Sequence, residues 1–363
     1  MITINLPAIQ SNWLKLRSIA NGAAIAGVIK ANAYGLGAKD IGNALYGVGC
    51  REFFLASIDE ALAARNYLPE DSIVYVLGGI GINNECLLID SKITPVLCSI
   101  AAITAWANTN SRLGVAAPSA IKINTGMTRF GLNFNEFERL CESPELVRAA
   151  NPLLVMSHLA CADEPEHPLN YLQHDRFTAC IILIKTLLPG LRFSLANSSG
   201  IFFGDDWHFD LCRPGAALYG INPTPNQPNP MSPVVCLSLL ITQVRKLDAA
   251  ATIGYGCAAS LPDGARVAVV AGGYADGLHR TLGFQPEGYL NGHLIKAVGR
   301  ISMDSTIFDI SSINLPDEQL LGAKIEVIND LLSLDYLSQK NKSLGYEVLT
   351  SLGGRYSREY VKE

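Results

Sequence analysis

Lys30 sits in the run Val28-Ile29-Lys30-Ala31-Asn32-Ala33-Tyr34-Gly35-Leu36-Gly37, an amine placed where an apolar segment gives way to a glycine-containing turn. Burying an ammonium beside Val28 and Ile29 is costly unless its charge is paired or the amine is covalently engaged. A Schiff base with a carbonyl cofactor is one such engagement. A strand-end lysine that lays its stem on apolar neighbours and returns its head to solvent fits the isolated residue as well, so the surroundings decide.

Four further segments carry chemistry. Leu195-Ala196-Asn197-Ser198-Ser199-Gly200 is a small-residue turn whose amides and hydroxyls suit a phosphate monoester, although most such turns only cap helices. Leu211-Cys212-Arg213-Pro214-Gly215-Ala216 places an arginine before a rigid proline and a glycine that a ligand can approach closely. A guanidinium keeps its proton, so beside a pyridine nitrogen Arg213 would leave that nitrogen unprotonated. Gly254-Tyr255-Gly256 brackets a phenol between glycines, either as a turn or as a proton donor and acceptor whose pKa is lowered by nearby positive charge. Gly299-Arg300-Ile301-Ser302-Met303-Asp304 follows an expected strand. Gly78-Gly79-Ile80-Gly81 lacks the glycine spacing of a dinucleotide loop and reads as an ordinary turn.

The elements that must position these residues follow from periodicity. From about residue 21 to 222, short apolar runs alternate with helical patterns, as in repeated βα units with a parallel sheet. Strands are expected at 26–29, 53–56, 73–77, 120–123, 153–157, 193–195 and 217–219. A helix is expected at Ile58–Arg65, with acid in its first turn and base in its last. This repetition fits a closed barrel or an open doubly wound sheet. Pro223, Pro225, Pro228, Pro230 and Pro233 then interrupt any regular element and mark an interdomain join. Beyond them, β-branched runs near 239–244, 266–271, 294–298, 306–310 and 324–328 predict a mainly β second half.

Composition narrows the function. The chain has 363 residues, 49% hydrophobic and 17% charged, with a net charge of −5 and no basic block, which points to small-molecule partners rather than nucleic acid or membrane. Nine scattered cysteines without a C-x-x-C pair suggest neither a disulfide framework nor a zinc site. The six histidines form no metal-binding pattern, and no metal is expected. A reducing cytoplasm fits this usage.

Taken together, the Lys30, Arg213 and Tyr255 motifs resemble those of alanine racemases, pyridoxal 5′-phosphate-dependent isomerases, in order and spacing along almost the whole chain. The resemblance implies an N-terminal (β/α)8 barrel over residues 1–224 that binds the cofactor. It also implies a mainly β C-terminal domain over 225–363 that completes the active site of the partner in a homodimer. By the same resemblance, Lys30 carries the cofactor and Arg213 faces its ring nitrogen, with His158 orienting Arg213. Tyr34, Ser198, the amides of Gly215 and Ala216, and Tyr346 hold its phosphate. Lys30 and the partner's Tyr255 are the two catalytic bases, and Arg129 with the partner's Met303 binds the substrate carboxylate. Lys122 matches a lysine that is often carbamylated, with a solvent-facing strand lysine as the alternative. Asp163, Tyr274, Arg280 and Arg300 line the entrance. Ser302 stands where the family often has cysteine. The implied role is supplying D-alanine for the peptidoglycan of the cell wall. A racemase of broader specificity, for serine, lysine or arginine, and a non-enzymatic pyridoxal-phosphate carrier are the alternatives.

Overall fold

The computed structural model describes residues 1–81, 83–279 and 286–362. Two compact units emerge, Ile9–Ser232 on one side and Met1–Ala8 with Pro233–Glu363 on the other. Strand β1 (Ile2–Asn5) accounts for the split N-terminus. It pairs antiparallel with β11 (Val235–Lys246) and parallel with β19 (Arg358–Val361), with Ile2 and Ile4 fully buried. The first eight residues therefore pack with the β unit, and the two compact units divide within the proline run, after Ser232.

The first unit is a ring of parallel strands. In order they are β2 (Ala24–Ile25), β3 (Gly27–Val28), β4 (Glu52–Leu55), β5 (Ile73–Val76), β6 (Thr94–Leu97), β7 (Ser119–Lys122), β8 (Pro152–Met156), β9 (Arg192–Ser194) and β10 (Leu211–Cys212). Strands β3 to β9 pair consecutively, and β10 pairs with β2. The ring closes because Ala26 N–H donates to Cys212 at 3.0 Å and Arg213 N–H donates to Ala196 at 3.0 Å. Inward side chains from successive strands, among them Val28, Phe54, Tyr75, Val96, Ala120, Leu154 and Leu211, form one buried core. This is the filled interior of a (β/α)8 barrel, β2 and β3 being two pieces of one strand separated by Ala26 alone. The helix Ile58–Arg65 forms as expected, capped by Ser57, whose hydroxyl accepts Glu60 N–H at 3.3 Å.

Two strand expectations need correcting. The run 217–219 is part of a 3-10 turn, Ala216–Tyr219, and the eighth strand is the shorter β10. Pro214 cannot donate to a ladder, and Gly215 at φ −122°, ψ −80° turns the chain. Tyr219 is then buried with its hydroxyl on the Val28 carbonyl at 2.9 Å. Strand β6 was not anticipated, since Pro95 lies inside it; all four of its residues are nonetheless buried.

In the second unit, β12 (Ala251–Ile253) and β13 (Ala259–Leu261) make a hairpin. Strands β14 (Arg266–Ala271), β15 (Glu287–Leu290), β16 (His293–Ala297), β17 (Ser305–Asp309) and β18 (Lys324–Ile328) join β11 in an antiparallel sheet ordered β14-β17-β16-β15-β18-β11. A further pairing of β11 with β14 closes it on itself. The twelve-residue β11 does this by serving β18 with its first half and β14 with its second.

Candidate active site

The C-terminal ends of the barrel strands gather most of the residues singled out from the sequence, on the face where a barrel's ligand loops lie. Lys30 follows β3. Lys122 ends β7, and Arg129 lies on the loop after it. His158 follows β8, Ser198 follows β9, and Arg213, Gly215 and Ala216 follow β10.

After Lys30 the backbone does something its sequence does not announce. Residues 31–34, none of them glycine, all hold φ between +52° and +56°, and Gly35 follows at +85°. This is a left-handed helical turn, which costs L-residues on the order of 1–2 kcal/mol each. Bonds from Ala33 N–H to Ile29 at 2.8 Å, Gly35 N–H to Ala31 at 2.8 Å and Gly37 N–H to Asn32 at 2.9 Å stabilise it. The turn aims Tyr34 back into the barrel, its ring 4.7 Å from that of Tyr219.

Positive charge accumulates here. Burial, then Arg129, push the Lys30 amine below the usual lysine range, while Glu60 acts in the opposite direction. Lys122 is 6% exposed. Burial first, then Arg213, with smaller contributions from Arg129 and Lys30, bring its amine down to about 8, against an opposing effect of Cys98. Desolvation and the same cations, Arg213 foremost, hold the His158 imidazole well below its usual value and so neutral at neutral pH. Burial lowers Arg213 to about 10, which leaves it protonated at neutral pH. Two lysines and two arginines thus face one another, with Glu60 as the carboxylate acting on Lys30. Of the four, Lys122 and Arg213 are buried, and like charges buried together call for an anionic ligand.

The surroundings of Arg213 are specific. It donates to Ser194 Oγ and to the Ser157 carbonyl, and its Nη2 lies 3.5 Å from His158 Nδ1 and 3.4 Å from the Leu195 carbonyl. Behind it, fully buried Gln173 donates to the His158 carbonyl at 2.9 Å and to Thr125 Oγ1 at 3.0 Å, and accepts Ala160 N–H at 2.8 Å. Thr125 Oγ1 in turn shares a 2.7 Å hydrogen bond with Ser157 Oγ. This network ties the His158 segment to the loop that carries Arg129. That loop folds back because Gly131, at φ +109°, passes so close to the Lys122 carbonyl that a Cβ there would sit 2.8 Å from it.

Does the phosphate-bearing pyridine aldehyde suggested by the sequence fit? Ser198 Oγ accepts Gly215 N–H at 3.0 Å and Ala217 N–H at 3.2 Å, leaving its own proton to donate outward. A Cβ on Gly215 would collide with the Tyr34 hydroxyl and lie 3.1 Å from Tyr34 Cζ. Only glycine preserves this cradle of hydroxyls and amides, and the surrounding cations match the charge of a phosphate. The donor set therefore fits the cofactor.

The remaining residues lie elsewhere. Asp163 is exposed in the loop after β8. Tyr255, Tyr274, Arg300, Met303 and Tyr346 belong to the β unit, and Arg280 lies outside the described residues. Within that unit the turn Tyr255–Cys257 joins β12 to β13, with Gly254 and Gly256 both at φ +69° and Arg300 alongside: a Cβ on Gly256 would meet Arg300 Nη1 at 3.1 Å. The Met303 segment is clamped against the Tyr274 segment by Tyr274 N–H to Ser302 at 3.0 Å and Ala275 N–H to Met303 at 3.1 Å. Arg355 bridges Asp276 at 2.6 Å and Asp304 at 2.7 Å across the two. Tyr255 and Met303 are 67% and 53% exposed. Ser157, Ser194, Gln173 and Glu60 were not anticipated, since serine, glutamine and glutamate at those spacings resemble ordinary caps and helix surface; the glutamate three residues after Ser57 was the one available signal.

Comparison with known proteins agrees with the fold. The family descriptions "Alanine racemase, N-terminal domain" and "Alanine racemase, C-terminal domain" match residues 4–223 and 234–360. The chain is 46% identical to an alanine racemase of Rhodospirillum rubrum over 99% of its own length and 95% of the relative's. It is 41% identical to a catabolic alanine racemase of Agrobacterium fabrum, covering 99% and 92% of the two. The crystal structure of alanine racemase from Bartonella henselae with covalently bound pyridoxal phosphate superposes with a TM-score of 0.92 at 36% identity, covering 99% of both chains. With both domains matched in order along the chain, and relatives of this identity covered almost end to end, the chain belongs to the alanine racemase family.

Proposed function

We propose that this chain interconverts L-alanine and D-alanine with pyridoxal 5′-phosphate held at Lys30. The observation that carries the reading is the meeting, on one barrel face, of a low-pKa lysine, a phosphate cradle made by Ser198, Gly215 and Tyr34, and a buried arginine with its own polar support. When bound, the cofactor supplies an electron-withdrawing ring that acidifies the Cα–H of the amino acid joined to it. Arg213 would face the ring nitrogen of the bound group and, keeping its own proton, would limit the electron demand of the ring and restrain side reactions. Neutral His158 beside it accepts rather than competes.

Lys30 takes or returns the proton on one face of Cα, and its lowered pKa favours the neutral amine that this task needs. The partner subunit's Tyr255 serves the opposite face in a homodimer with shared sites. Arg129 pairs with the substrate carboxylate, and the partner subunit's Met303 adds its backbone amide. Tyr346 and the Ala216 amide complete the phosphate site, while Asp163, Tyr274, Arg280 and Arg300 line the approach. The exposure of Tyr255 and Met303 supports this division of labour. Lys122 becomes carbamylated and turns from a cation into an anion that steadies Arg129; its lowered pKa supports the modification. The enzyme works in the cytoplasm and supplies peptidoglycan with D-alanine. The Agrobacterium relative named as catabolic favours a second role, alanine breakdown, and D-alanine dependence of a deletion strain separates the two.

The test is incubation with pyridoxal phosphate and L-alanine in deuterated water, followed by resolution of the enantiomers. Accumulation of α-deuterated D-alanine is expected. Absence of both D-alanine and Cα exchange, with cofactor attached at Lys30, would sink the racemase reading and leave the carrier alternative; exchange on serine, lysine or arginine instead would indicate the broader racemase.

A further inference from the structure

We propose that Glu60 is a positioning residue for Lys30: its carboxylate ties the left-handed turn that starts after Lys30 to the end of the neighbouring strand and sets a negative charge against the amine. The proposal rests on the racemase reading for what Lys30 does, but the geometry stands on its own.

Glu60 is the third residue of the helix Ile58–Arg65. In a capping box a glutamate at this position returns to the N–H of the capping residue. Here Ser57 caps the helix in the ordinary way, but the glutamate reaches further. Oε2 accepts Ala56 N–H at 2.9 Å, just beyond the end of β4, and Oε1 accepts Asn32 N–H at 3.2 Å, inside the left-handed turn. One carboxylate thus joins the chain after Lys30 to the strand that pairs with β3. The Asn32 side chain fastens the far end of the same turn, its Oδ1 accepting Ala38 N–H at 2.9 Å.

Charge gives this bridge a second consequence. The groups that face Lys30 are Glu60 from the helix after β4, Arg129 from the loop after β7, Lys122 at the end of β7, and His158 after β8. Glu60 is the anion among them. A glutamine would keep the size and one acceptor, but would lose the charge and the second acceptor.

Glu60→Gln and Glu60→Asp separate the two contributions in the full-length protein. Limited acetylation of Lys30 in protein freed of cofactor, followed across pH by peptide mass spectrometry, reads the amine directly; the exposed Lys92 serves as the internal reference. With Glu60→Gln the Lys30 midpoint moves to lower pH while Lys92 stays fixed. Glu60→Asp keeps the charge but shortens the reach, so its midpoint stays near that of the wild type. Loaded with cofactor, both variants lose kcat by about 10- to 100-fold, as expected for a displaced reacting group, with KM changed far less. A Lys30 midpoint in Glu60→Gln that superimposes on the wild type, or unchanged kcat in either variant, overturns the proposal. If Glu60→Gln does not fold, the kcat of Glu60→Asp decides alone. Wild-type protein without racemase activity would count against the function, whereas the Lys30 midpoints would still judge Glu60.

Discussion

Carbon dioxide should react with Lys122 at a rate set by how much of its amine is unprotonated. At pH 7.5 an ordinary lysine near 10.5 is neutral about one part in a thousand, whereas one near 8 is neutral about one part in four, roughly 200-fold more. The protein achieves this by burying the side chain at the end of β7 with Arg213, Arg129 and Lys30 around it. Carbamylation then replaces a disfavoured cation with an anion among three cations, so the product is favoured as well as the reactive form. Carbon-13 NMR on protein equilibrated with labelled bicarbonate gives the assay. One carbamate resonance is expected that disappears in Lys122→Arg and weakens as pH falls below about 8, where the amine protonates. Lys122→Ala should raise KM for alanine more than it lowers kcat, since Arg129 loses the neighbour that holds it. A saturating bicarbonate spectrum with no Lys122-dependent signal would refute the reasoning.

Other consequences follow from the same residues. Gly215→Ala forces a Cβ against Tyr34 and should weaken cofactor binding by about 1–3 kcal/mol, or roughly 5- to 150-fold, measured by absorbance titration, with Tyr34→Phe in the same chain recovering part of the loss. Gln173→Met keeps the volume but orphans the His158 carbonyl and the Ala160 amide, and should cost about 1–3 kcal/mol for each in a urea titration. The lowered Lys122 pKa also fixes a sign for stability in cofactor-free, carbonate-free protein. Between about pH 8 and 10.5 the unfolded chain binds a proton that the folded chain does not, so stability rises with pH through that window, by up to about 3 kcal/mol. Lys122→Met should flatten this rise, read as the melting temperature across pH.

Legibility divided along a physical line. Arg213 and Tyr255 stand out in the sequence because proline or glycine adjoins them, Lys30 because an amine follows the apolar Val28 and Ile29, and the helix Ile58–Arg65 because its cap and charges agree with its pattern. The left-handed turn could not. Of Ala-Asn-Ala-Tyr only asparagine takes to such geometry, and Glu60, 28 residues away, adds its carboxylate to the local backbone bonds that sustain the turn. Gln173 was equally hidden: on a helix most glutamines face water, and only the assembled barrel turns this one onto Thr125 and His158. Strand β6 was masked by Pro95, and the expected strand at 217–219 reflected an apolar run that is buried as a turn.

The pairing of β1 has a consequence for how the chain is made. Ile2–Asn5 leaves the ribosome well before its partners, for β11 begins about 230 residues later and β19 later still. The barrel, whose strands meet their neighbours in order of synthesis until the last closes on the first, can form while this strand waits. Four residues rich in isoleucine and threonine must therefore stay unpaired until β11 has been made. A pause between β11 and β19 would prolong that exposure on one side, and a chain cut before β19 would leave β1 with one edge open to another nascent chain.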